Sequence, residues 1–314
     1  MSQNGIKIVF MGTPEFAEPS FVALANKKNL AVAITQPDRP SGRGQAIGLS
    51  PIKVKSMQYN VPVVQIDSIK DEKSIEQMKK FAPDLIVVVA FGQILPPEVL
   101  EIPRMGVINV HASLLPKWRG AAPINWAVLN GDYYTGVTTM LMDKGLDTGA
   151  ILLQKKTRIN DGETAGALSE RLARMGAELL LQTIDGMEKG EIEPKPQNEK
   201  LATMARTLTK EDGRIDWTQS AEYLARQVRA MDPWPGTFSF LHGKRLKVFS
   251  VDVAAAENNQ AKPGEIIEIN DQILKIATAA GALLLKELQL EGRKRLPVEE
   301  FVKGMELQAG QIVG

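Results

Sequence analysis

The sequence contains no cysteine and only two histidines among its 314 residues. Without thiols there is no disulfide, no thiolate nucleophile and no cysteine-ligated zinc. Two histidines leave little material for an imidazole-built zinc site, and no metal is expected. An excess charge is missing too, since 38 Lys and Arg stand against 37 Asp and Glu. No global field draws this chain to nucleic acid, so any such binding comes from local patches. No run approaches the roughly 18 apolar residues of a membrane span, and the first residues lack a signal-peptide pattern. A cytoplasmic protein is expected. The remaining composition, 44% apolar and 24% charged, is that of a globular protein, and its length suits two domains.

Ile6 to Met11 reads as an apolar strand ending in Gly12-Thr13-Pro14-Glu15. Thr13 suits an N-cap and Pro14 a first helical position, which predicts a helix through Ala25. Strand, glycine and helix in this order indicate a doubly wound α/β domain. The single glycine lacks the companions of the G-x-G-x-x-G dinucleotide fingerprint, which disfavours NAD. A second strand, Ala31 to Thr35, runs into Gln36-Pro-Asp-Arg-Pro-Ser-Gly-Arg-Gly44, and no periodicity returns before about Leu49. Loops of that length are often functional. No Gly-Lys-Ser/Thr follows, so it is not a P-loop. Arg39 and Arg43 on it suit phosphate contact or a solvated surface. Asp84 to Gly92 carries the β-branched run of a strand buried on both faces.

The stretch Met105 to Gly120 organises the chain. Val107 to His111 reads as a short strand, and alternation puts Asn109 and His111 on one face near its C-terminal end. In a parallel α/β sheet that end faces the ligand crevice. A helix over Ala121 to Leu129 and a strand over Gly136 to Met142 follow. Next come the glycine-punctuated loop Asp143 to Gly149, a strand near Ile151 to Lys155 and a helix over 165–188. The polar, proline-containing stretch 190–209 reads as a linker between a domain over 1–189 and another over 210–314. In the latter, a helix near Ala221 to Met231 precedes short strands with turn signals at Gly243, Asn270-Asp271 and Gly281. That pattern predicts a small β-barrel or sandwich. His242 belongs to a hairpin turn, and Trp234, between two prolines, to the domain junction.

Asn109, His111 and a carboxylate from the following loop make an acid/base constellation if they converge. Asp147 is the stronger carboxylate candidate and Asp143 the weaker. A carboxylate beside an imidazole favours and orients its protonated form. An asparagine amide donates to an oxygen that gains negative charge. The set suits transfer of an acyl-type carbon by direct amine attack through a tetrahedral intermediate. The bland alternative is a histidine merely hydrogen-bonded within the sheet.

Asn109-Val-His111-Ala-Ser113-Leu-Leu-Pro116-x-x-Arg119-Gly120, followed by Asp143-x-Gly145-Leu-Asp147-Thr-Gly149, resembles the folate-dependent formyltransferases. Phe10-Met-Gly-Thr-Pro-Glu-Phe16, the 36–44 loop with Ser50-Pro-Ile-Lys53, Ile215-Asp-Trp217 and Pro233-Trp-Pro235 are similar to the methionyl-tRNA branch of that family. The resemblance spans essentially the whole chain. It implies a Rossmann-like formyltransferase domain with a parallel-rich sheet, 10-formyltetrahydrofolate as formyl donor, and a C-terminal OB-like β-barrel that helps bind initiator methionyl-tRNA. Asn109, His111 and Asp147 would be catalytic. Ser113, Leu114, Leu115 and Pro116 would contact folate, and Arg39 and Arg43 would contact tRNA. One departure is Gln45-Ala46 where the family often has lysines. A monomer is expected. The rivals are a formyltransferase for a small amine, a hydrolase that deformylates the folate, and a non-catalytic RNA-binding protein.

Overall fold

The computed structural model describes residues 5–41, 46–255 and 261–314, and of Arg39, Pro40, Ser41, Ala46 and Ile47 only the backbone. Two compact units result, the first made of Met1–Pro123, Tyr134–Arg158 and Ser169–Ala205, the second of Ile124–Tyr133, Ile159–Leu168 and Arg206–Gly314.

The first unit is built on a seven-stranded sheet. Its strands are β1 (Lys7–Gly12), β2 (Asn29–Thr35), β5 (Val63–Gln65), β6 (Leu85–Val89), β7 (Val107–His111), β9 (Tyr134–Leu141) and β10 (Ile151–Arg158). The order is β10-β9-β7-β6-β1-β2-β5, parallel from β5 to β7, with the β9–β10 hairpin antiparallel at one edge. Every residue of β6 is buried, as its unbroken apolar run requires of a central parallel strand. Helices α1 (Glu18–Lys27), α2 (Pro51–Gln58), α3 (Glu72–Phe81) and α4 (Pro97–Leu100) connect the strands, and α6 (Ala165–Glu188) matches the helix expected over 165–188. Two short ladders complete the unit: β3 (Arg39–Ser41) with β4 (Ala46–Gly48), and β8 (Arg119–Gly120) with β11 (Met204–Ala205). No helix of the described residues is long and apolar enough to cross a membrane.

Two local expectations are corrected. The first helix starts later than Pro14, which instead caps a 3-10 turn over Glu15–Ala17. The Thr13 hydroxyl is engaged elsewhere, accepting from the Gln36 N–H at 3.3 Å. Trp234 is 52% exposed rather than packed away.

The polar stretch after α6 is tied down by backbone pairing, which needs no apolar side chains. Ile151 and Lys195 exchange both hydrogen bonds at 2.8 Å, and β11 runs parallel to β8. Residues up to Ala205 thus belong to the first unit.

In the second unit, strands β12 (Thr237–Leu241), β13 (Lys244–Ala254), β14 (Ile266–Asn270), β15 (Ile273–Ala277), β16 (Ala282–Leu290) and β17 (Leu296–Pro297) form an antiparallel sheet. Its order β12-β13-β16-β15-β14 is a Greek key, three hairpin-linked strands with β13 returned beside β16. His242 and Gly243 supply the two positive φ angles, +49° and +72°, of the β12–β13 turn. Helix α7 (Ala221–Ala230) begins at Ser220, whose side chain accepts from the Tyr223 N–H, and buries Ala221, Leu224 and Val228 along one stripe. They join Ile215, Trp217, Leu246, Val248 and Phe301 of α8 (Val298–Lys303) in one core.

Asp212 closes the entry to this unit. Its carboxylate accepts from the Thr209 N–H at 2.6 Å and hydroxyl at 2.9 Å, and pairs with Arg206. The Arg206 guanidinium is the main reason that this carboxyl is held down to about 2 from its ordinary 3.8. The folded value lies below the unfolded one, so its stabilisation is complete above about pH 4 and disappears as pH falls to about 2. Asp212→Asn is expected to cost about 1.5–3 kcal/mol at neutral pH. Denaturant titrations should show that deficit shrinking through the same window; a deficit constant with pH would remove the ion pair as its source.

Candidate active site

Strand β7 carries Asn109 and His111 two residues apart, hence on one face. Asn109 pairs in register with Met140, and His111 with Thr138. Asn109 is half-buried and His111 only 6% exposed. The third expected residue reaches them from the β9–β10 loop. Asp147 adopts φ +53°, a left-handed conformation that aspartate tolerates better than most residues. Its Oδ1 accepts from Asn109 Nδ2 at 3.2 Å, and its Oδ2 from the Gly120 backbone N–H at 2.8 Å. Oδ2 also lies 3.6 Å from His111 Nδ1, within ion-pair range but beyond a good hydrogen bond. The other ring nitrogen, Nε2, stands 2.9 Å from the Trp118 carbonyl oxygen. A carbonyl only accepts, so Nε2 carries hydrogen and Nδ1 faces the carboxylate.

The structure also separates the two carboxylate candidates. Asp143 Oδ1 accepts from the Gly145 N–H at 2.9 Å and the Thr148 hydroxyl at 2.6 Å, so it folds the loop. Two glycines are required by close approach. A Cβ on Gly149 would fall 1.6 Å from the Leu141 carbonyl oxygen, and one on Gly120 2.6 Å from that of Ala205.

The Ser113-Leu-Leu-Pro116 turn is fixed largely through its own polar groups. Ser113 Oγ donates to the Lys117 carbonyl at 2.5 Å, Leu115 is buried, and the Leu115–Pro116 peptide is cis. Leu114 packs against Gly136. Two residues with no sequence signal pin the turn. The buried Thr138 hydroxyl donates to the Ser113 carbonyl at 2.7 Å and accepts from the Leu115 N–H at 3.1 Å. Gln154 Nε2 donates to the Leu115 carbonyl and to that hydroxyl, each at 2.9 Å.

Arg43 and the Arg39 side chain lie outside the described residues. The base of their loop is anchored, since Asp38 pairs with Lys53 and accepts from Gln65 Nε2 at 2.8 Å. The Lys53 ammonium is the main reason that the Asp38 carboxyl is lowered. In the second unit, Arg245 lies 4.1 Å over the Phe238 ring, and Arg295 4.0 Å over Phe249 while paired with Glu287. Among the described residues no group of three or more His, Cys, Asp or Glu stands in metal-holding positions.

Residues 6–184 match the formyl transferase family model, and 207–306 that of the formyl transferase C-terminal domain. Formyl transferase is therefore the class. A methionyl-tRNA formyltransferase of Citrifermentans bemidjiense is 49% identical over 312 residues, covering 99% of this chain and 97% of the relative. Those of Geobacter sulfurreducens and Lachnospira eligens are 45% and 42% identical, covering 99% and 98% of this chain and 97% and 100% of the relatives. The chain belongs to the methionyl-tRNA formyltransferase family. Its fold is shared with an N-formyltransferase from Helicobacter canadensis solved with folinic acid and dTDP-3-aminofucose (18% identity, TM-score 0.67, covering 89% of this chain and 98% of that one). It is shared too with HypX from Aquifex aeolicus solved with tetrahydrofolic acid (19% identity, TM-score 0.63, covering 99% and 51%).

Thr138→Val keeps the shape of the side chain and leaves the Ser113 carbonyl, the Leu115 N–H and one Gln154 hydrogen short of a partner. The expected cost is about 2–3 kcal/mol of stability, measured as a shift of the denaturation midpoint. An unchanged midpoint would show that the turn does not depend on this hydroxyl.

Proposed function

We propose that the protein transfers the formyl group of 10-formyltetrahydrofolate to the α-amino group of initiator methionyl-tRNA. The observation that carries the chemistry is the Asp147 carboxylate, bonded at once to the Asn109 amide and the Gly120 N–H and facing the His111 ring. The acceptor rests on relatives of the stated name that align over nearly the full chain.

The neutral amine, whose ordinary pKa near 8 falls further in an aminoacyl ester, attacks the formyl carbon. The carbonyl π pair moves onto oxygen. Asn109, which has a second amide hydrogen, and protonated His111 stabilise that oxyanion, each good donor contributing ~3 kcal/mol. Asp147 stabilises the imidazolium and takes the amine proton through water. Collapse of the intermediate breaks the bond to the folate nitrogen, which receives that same proton back from Asp147 through water and leaves as tetrahydrofolate. The Ser113 to Pro116 turn borders the folate through its backbone. The loop with Arg39 and Arg43, together with the 210–314 domain, binds the tRNA. The protein acts as a monomer in the cytoplasm.

His111→Ala should lower kcat by about 10²–10⁴-fold with unchanged tRNA affinity, followed as tetrahydrofolate release. Near-normal turnover would refute the assignment. Initiator methionyl-tRNA should support release, whereas glycinamide ribonucleotide and water should not. Release with a small amine or water alone would retain the chemistry and overturn the acceptor.

Replacing Arg39 and Arg43 together by alanine should raise KM for tRNA, leave kcat at saturation unchanged, and flatten the log–log salt dependence by about one to two. An unaltered salt slope would move the phosphate contacts elsewhere.

A further inference from the structure

The segment Lys195–Ala205 makes no part of the chemistry proposed above, yet it runs along both sides of the site. Gln197 sits at its centre. Gln197 Nε2 donates to the backbone carbonyls of Asp147 and Gly149, both at 2.8 Å. Its Oε1 accepts from Arg119 Nε at 3.0 Å and Nη2 at 2.8 Å. Arg119 is 4% exposed and is held on its other edge by Glu199, with contacts of 2.8 and 2.7 Å. That pairing is the main reason that the Arg119 guanidinium is shifted upward. Farther along, the Thr203 hydroxyl accepts from the Trp118 N–H at 2.9 Å, and the Thr203 carbonyl accepts from the Arg119 N–H at 2.8 Å. Trp118 is the residue whose carbonyl holds His111 Nε2.

We infer that Gln197, locked by Arg119, is a positioning residue that holds the Asp147 backbone so that its carboxylate faces Asn109, Gly120 and His111. The amide is fixed at both ends. A guanidinium accepts nothing, so Arg119 dictates which end of the Gln197 amide is oxygen and sends the NH₂ toward the loop. One of the two carbonyls that receive it is that of Asp147 itself and the other lies two residues on, and Asp147 is in a left-handed conformation that its surroundings must maintain. A displacement of about 1 Å at such a group costs about 10²-fold in rate. The inference rests on the catalytic reading of Asp147 given above.

The test is a double-mutant cycle between Gln197→Met and Asp147→Asn, followed by single-turnover formyl transfer and by the ring resonances of the two histidines. Gln197→Met should lower kcat about 10–100-fold with little change in KM for either substrate. It should shift the His111 resonances at fixed pH and leave those of His242 in place. Gln197→Glu, which keeps the acceptor for Arg119 but loses both donors, should behave the same way and serves if the methionine variant does not fold. In the Asp147→Asn background the Gln197 replacement should add little. A Gln197 effect of full size in that background, unmoved His111 resonances, or a loss confined to KM would overturn the positioning role. Asp147→Asn with undiminished turnover would instead defeat the catalytic reading, which separates the two failures.

Discussion

The Asp147 carboxylate is the constraint on which the first unit turns. Its side chain is 12% exposed, and a carboxylate so far out of water is costly unless donors replace its hydration. The donors come from places distant in sequence: the Asn109 amide from a parallel strand and the Gly120 N–H from the β8 ladder. The first joins β7 to the β9–β10 loop, and the second joins that loop to β8. Gly149 lets the loop lie against Leu141, and Asp143 folds it internally, so the carboxylate comes back over β7 rather than out to solvent.

His111 is oriented by the same arrangement. With Nε2 committed to the Trp118 carbonyl, the ring presents Nδ1 to Asp147, and only that nitrogen changes partners when the ring takes up a proton. Trp118 itself has φ +61°, and its carbonyl oxygen stands 2.9 Å from Nε2. The site thus fixes the tautomer through a backbone carbonyl on one ring nitrogen, with the Asp147 carboxylate facing the other.

Much of this was legible in the sequence because burial has a period. The unbroken apolar run of β6 reports a strand buried on both faces, and the alternation over β7 puts Asn109 and His111 on one face. His242 and Gly243 mark the reversal between β12 and β13 through their backbone conformation. Thr138, Gln154 and Gln197 were not legible. Each acts through hydrogen bonds spanning 16 to 78 residues of chain, and such bonds leave no local period. The stretch 190–209 read as a linker because polarity and proline signal solvent. Backbone pairing at Lys195 and β11 meets the chain's hydrogen-bonding needs without apolar residues, so composition carries no trace of it. The delayed start of α1 has the same origin, because the Thr13 hydroxyl is taken by Gln36 across the strand ends.

The charge balance sets how a polyanionic acceptor is held. From Ala205 onward 15 basic residues face 15 acidic ones, so that stretch has no long-range pull, and any phosphate contact there rests on individual cations. Two of these are already arranged: Arg245 and Arg295 lie flat over Phe238 and Phe249. A stacked guanidinium keeps its donors outward and loses less freedom when it meets a phosphate than a free side chain does. Arg295 must give up part of its bond to Glu287 to do so, whereas no such ion pair restrains Arg245 among the described contacts. Of the two stacked arginines, Arg245 is therefore the one whose charge is available at the lower cost.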